Sequence, residues 1–251
     1  MSGQHSVIAM RRRLISVATA VALLLTAKPM LADDLAGFNA AIEDVASHSR
    51  AALGYLHNQN ADLAGVELER MRDAWGAFAE RFGRDRPEKF RDNALYVTML
   101  VDVPTRIVTA NIMINFGRPD IARNSLQAIR EEISAVRRES GVAVLADCVL
   151  DANVAMDALY VYRDHAPDWD DPAAAPDIAA KADAYAAAVR RCDTMAVEPV
   201  RTDPEFRRLV DGVAASLAFV PKAIAARDRD LLYRVIIELR SFDNLLAFRY
   251  G

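Results

Sequence analysis

Cysteine is nearly absent from this 251-residue chain. Two residues are too few for a disulfide framework or a four-thiolate zinc site. Ten glycines and ten prolines sit slightly below the globular average, which disfavours a sandwich or barrel with many tight turns. Aromatics are 7% of residues, and the formal charge of −4 gives no electrostatic case for nucleic acid. No stretch alternates long enough to defend as a strand. The signatures of serine hydrolases, zinc peptidases, phosphate loops and dinucleotide folds are missing, as is the Cys-x-x-Cys-His motif of covalent haem.

What is present begins with an address. Arg11, Arg12 and Arg13 precede an apolar run over 14–25, and Pro29-Met-Leu-Ala32 leads into Asp33-Asp34. Charged, then apolar, then small is the order of a cleavable secretory leader, and a dozen apolar residues are short for a membrane span of about 20. The expected leader is 1–32. The adjacent arginines admit the twin-arginine route, but the general secretory route is the expectation. Removing Arg11, Arg12, Arg13 and Lys28 from 31 basic residues leaves 27 against 35 acids, a net charge of −8. No later run reaches 18 apolar residues, so the exported body is expected to be soluble and periplasmic, with no further span.

The body reads as all-α. Leu231, Leu232, Val235, Ile236, Leu239, Phe242, Leu245 and Leu246 recur at three- and four-residue steps, as do Phe206, Leu209, Val210, Val213, Leu217, Val220 and Ile224. Helices are expected at 34–58, 61–83, 89–116, 119–139, 142–164, 173–196, 204–227 and 229–248, with Pro104 and Pro221 kinking two of them. An internal repeat aligns the turns at Asp62, Asp120, Asp177 and Asp230. In three of the four, an apolar residue follows six later (Leu68, Leu126, Ile236) and an arginine ten later (Arg72, Arg130, Arg240). An acid ahead of an apolar-periodic run suits a helix N-cap or first turn. The eight helices therefore form four antiparallel hairpins. They are arranged either as an α-solenoid-like stack or as two packed four-helix bundles, 33–140 and 141–251. The Asp-Leu-Ala turn resembles the turn between paired helices of tetratricopeptide-like repeats. That resemblance implies stacked helix pairs with a partner-binding groove.

Cys148 and Cys192 lie equally far from the centre of their hairpin near Asp170, which levels them across its base and predicts a disulfide. His48 and His57, nine residues apart, lie on opposite faces of the first helix. With Met71 or Met113, either histidine makes a candidate ligand pair for haem b or copper, the alternative to an absence of cofactor. The fifth helix carries Asp147, Asp151, Asn153 and Asp157, expected on a solvated or arginine-paired face. The repeated arginines predict ion pairs across each hairpin, Arg72 with Asp44, Arg130 with Asp102, and Arg240 with Asp211. No constellation performs chemistry. The expected function is a non-enzymatic, exported scaffold or accessory factor that binds a protein or peptide, with no nucleic-acid partner.

Overall fold

A computed structural model describes residues 27–251, so most of the expected leader lies outside the described residues. The fold is all-α, with no strand among the described residues. We label the helices α1 (Ala27–His57), α2 (Ala61–Phe82), α3 (Leu95–Asn115), α4 (Pro119–Glu139), α5 (Leu145–Asp164) and α6 (Ala174–Met195). There follow α7 (Glu198–Arg201), α8 (Pro204–Leu217), α9 (Val220–Ala226) and α10 (Arg229–Tyr250). Helix α1 runs across the expected cleavage position at Ala32. The chain divides into two compact units, one ending at Gly141 and one spanning Val142–Gly251.

The internal repeat is a turn motif. Residues Gln59, Gly117 and Arg227 adopt positive φ (59°, 68° and 50°), each three positions before a repeat aspartate. In each turn the next N–H reaches a carbonyl five residues back: Asn60 to Tyr55 (2.9 Å), Arg118 to Met113 (2.8 Å) and Asp228 to Ala223 (2.9 Å). That left-handed closure consumes the last carbonyls of one helix before the next begins. The aspartates Asp62, Asp120, Asp177 and Asp230 all fall in first turns, where the helix dipole favours them. Capping itself falls to Asn60, Asp203 and Asp228, whose side chains accept from N–H groups of the following turn. The third connection, ahead of Asp177, lacks the left-handed residue.

In the first unit α1 packs on α2, α2 on α3, α3 on α4, and α4 returns to α1. A stack of hairpins would leave the first and fourth helices apart; this unit closes as a four-helix bundle. Phe38 fixes one end, its ring centroid 4.4 Å from Phe90 and 5.4 Å from Phe78. Beside it the buried Tyr96 hydroxyl donates to the Phe82 carbonyl at 2.9 Å. Helix α3 starts later than the periodicity implied. Glu88–Phe90 is a single 3-10 turn, and the Asn93 carboxamide accepts from Tyr96 N–H while donating to the Val136 carbonyl. Pro104 lies inside α3 without ending it.

The second unit closes in the same way, α5 on α6, α6 on α8, α8 on α10 and α10 on α5. Close approach of α8 and α10 depends on Gly212, where a Cβ would lie 2.5 Å from the Phe242 ring. The sulfurs of Cys148 and Cys192 are at bonding distance with Cα atoms 5.4 Å apart, and both residues are buried. The expected helix 204–227 is broken. Pro221 has no N–H to give and its ring would collide with the Leu217 carbonyl, so α8 ends at Leu217 and α9 restarts with Pro221 in its first turn.

Two segments, Leu95–Asn115 and Pro204–Ala226, are long and apolar enough to cross a membrane by mean hydropathy (1.4 and 1.6), although neither is an uninterrupted apolar run. Each buries one face in its own unit: Tyr96, Met99, Val103 and Ile107 from the former, Phe206, Leu209 and Val213 from the latter.

Candidate functional site

The break at Pro221 opens a groove in the second unit. Facing the break, α6 presents Ala179, Ala182, Asp183 and Ala186, whose spacing sets them on one face of the helix. The other wall is Leu217 at the end of α8, with Val220, Pro221, Ile224 and Ala225 of α9. The cavity measures about 370 Å³, the size of a small-ligand or side-chain pocket. Alanine on one wall and a displaced helix on the other leave room that larger side chains would fill. Asp183 is the one charged group in the lining, and it has no ion-pair partner among the described residues. The groove can therefore hold apolar groups beside one cation. It has no nucleophile, acid–base pair or metal ligand set.

Behind that wall lies a polar cluster. Asp243 of α10 is only 1% exposed. Its carboxylate accepts from Asn153 Nδ2 (2.9 Å) and Arg240 Nη1 (3.1 Å). Arg240 also reaches Asp157 on α5 at 2.5 Å and covers the Tyr160 ring at 4.3 Å. Tyr185 of α6 is fully buried; desolvation, then the Asp243 charge, pushes its hydroxyl's pKa well above the usual phenol value. Buried at Asp243 and Tyr185 and open to solvent at Asp157, this cluster ties α5, α6 and α10 together.

No known protein family, curated protein or solved structure matches the chain. The tetratricopeptide-like resemblance is thus carried by the turn alone, and the site rests on its own geometry.

The expected site residues fare unequally. His48 Nδ1 lies 2.8 Å from Glu67 Oε2, and Glu67, buried between α1 and α2, also takes Arg70 at 2.7 Å. His57 is exposed at the end of α1, Met71 is fully buried in the first core, and Met113 is half-buried on α3. No group of three or more His, Cys, Asp or Glu that could hold a metal ion occurs among the described residues.

Two of the three expected cross-hairpin ion pairs, those of Arg72 and Arg240, are otherwise than expected. Arg72 pairs with Glu69 (2.5 Å) and Asp73 on its own helix, not with Asp44, because an exposed guanidinium meets the acid one turn back first. In the second hairpin Arg106 bridges across to Glu132. Desolvation first, then the Asp102 charge, raises the Glu132 carboxyl. Arg240 turns to Asp157 and Asp243, and Asp211 lies instead 4.0 Å from Arg207. On α5, Asp157 and Asp151 are arginine-paired as expected, the latter 3.9 Å from Arg191.

Two tyrosine–aspartate contacts give the second unit a pH signature. Backbone N–H donation, then the Tyr250 hydroxyl, holds the Asp203 carboxyl below its ordinary 3.8. Burial, then the Asp203 contact, pushes Tyr250 up to about 12 from 10.0. Tyr162, half-buried and bonded to Asp177, is likewise pushed up to about 12 by desolvation and then by that bond. A depressed carboxyl contributes stability present above its unfolded value and lost as pH falls through the folded one. A raised phenol contributes stability present below its unfolded value and lost as pH climbs toward the folded one. Thermal melts should therefore be level through neutrality, fall below the 3.8 of a free carboxyl, and fall again between 10.0 and about 12. Tyr250→Phe should remove part of the alkaline loss.

Proposed function

We propose that the protein is an exported, non-enzymatic accessory factor of a bacterial periplasm. It binds a partner protein through a basic, apolar segment seated in the groove between α6 and α9. The observation that carries this reading is the groove itself, apolar throughout except for the unpaired Asp183. Two features support it. The chain after the expected leader carries −8, which draws cationic partners by long-range attraction. An amphipathic helix or extended segment recognises such a cleft by placing apolar side chains within it and a basic residue at its rim.

The test uses a fluorescent amphipathic peptide of leucine and lysine and its glutamate-for-lysine counterpart, with affinity read by anisotropy. The basic peptide should bind with a Kd on the order of micromolar, as expected of a small transient interface. Ala225→Trp, which fills the groove from an exposed position, and Asp183→Lys, which reverses its charge, should each weaken binding about tenfold or more. Equal binding of both peptides, or indifference to both substitutions, would contradict the reading.

A further inference from the structure

Helix α3 of the first unit carries two apolar stripes. One is buried. The other (Val97, Val101, Pro104, Val108, Ile112 and, just past the helix, Phe116) recurs at three- and four-residue steps on the opposite side. Val97 is 55% exposed, Val101 62%, Val108 49%, Ile112 43% and Phe116 75%. The adjoining Thr105 and Thr109 spend their donor hydrogens on the Val101 and Thr105 carbonyls of their own helix.

We infer that this stripe is the dimer interface of the protein and that its occupant is α3 of a second copy, packed antiparallel across a two-fold axis. The five exposed side chains leave about 500 Å² of apolar surface, at the upper end of the patch a monomer tolerates. Facing its own copy, the stripe buries roughly 1,000 Å² before any flanking residue is added, the threshold for a specific interface. An axis between Pro104 and Thr105 sets Val97 level with Ile112 of the second copy, and Val101 level with its Val108. None of the stripe residues is charged, so no charge enters the seam. A helix lying on a lipid surface would instead be flanked by several basic residues; α3 carries one arginine, already directed at Glu132. The inference does not depend on the groove of the second unit.

Sedimentation equilibrium of the purified protein should give twice the chain mass at micromolar concentration. Val101→Glu, at an exposed position, should raise the dissociation constant about 100-fold with the helix content by circular dichroism unchanged. Val161→Glu, equally solvent-facing on α5 of the other unit, should leave the mass unaltered. The inference is overturned by a wild-type monomer up to about 100 μM, a concentration at which specific dimers persist. It is also overturned by a dimer that Val101→Glu does not dissociate. So too would be a protein that is monomeric alone and floats with phosphatidylglycerol vesicles unless Val101→Glu is present, a result that would assign the stripe to a lipid surface.

Discussion

Replacing Asp243 by alanine should lower the stability of the second unit by about 3–5 kcal/mol, the cost of breaking a buried ion pair, although Arg240 keeps the exposed Asp157. The substitution strips Arg240 of the carboxylate 3.1 Å away and leaves Asn153 Nδ2 without its acceptor. Its cavity is small, so almost all of the loss is electrostatic and hydrogen-bonding in origin. For a unit of this size the melting temperature should fall on the order of 15 °C or more. Asp243→Leu combined with Arg240→Met should recover most of that loss, because replacing both charges removes the unpaired group along with the pair. A melt within a degree or two of wild type for Asp243→Ala would mean the cluster does not hold α5, α6 and α10 together.

Removing the cystine should have the next largest effect. Cys148 and Cys192 close a loop with a sequence separation of 44, which in the chain-entropy account is worth roughly 4 kcal/mol. The link restrains a hairpin whose sixth helix is rich in alanine and whose connection lacks the left-handed closure of the other three turns. Cys148→Ala with Cys192→Ala should therefore lower the denaturation midpoint and speed amide exchange first in α5 and α6. Intact mass before and after reductant checks the premise, since two free thiols in exported material would contradict it.

Much of this architecture was legible because periodicity reports burial directly. Phe206, Leu209, Val210 and Val213 are buried as their spacing implied, and so are Leu232, Val235, Ile236 and Leu239. The repeat was visible through its aspartates, although the residues that make the turn are Gln59, Gly117 and Arg227 three positions earlier. Two of those are not glycine, so no composition signal marked them. Distance from the hairpin centre was enough to pair the cysteines because antiparallel geometry converts it into level.

Charge was read less well. An arginine has several acids within reach, and spacing along one chain does not say whether it will keep to its own helix, as Arg72 does, or also reach another, as Arg240 does. The groove had a partial signal in Pro221 and the alanines of α6. Recognising it needed the knowledge that α9 faces α6 across the break, which is a tertiary fact. Asp243 gave no warning at all, because nothing local distinguishes a buried aspartate from the exposed acids around it.

The central claim is that the cleft opened by Pro221 receives the apolar side chains of a basic partner segment. Amide hydrogen exchange, recorded with and without the leucine–lysine peptide, tests it most directly. Protection should rise at 179–186 on α6 and at 217–225 across the break, with little change elsewhere in the second unit. Unchanged exchange at both walls under saturating peptide, or protection confined to other helices, would contradict it.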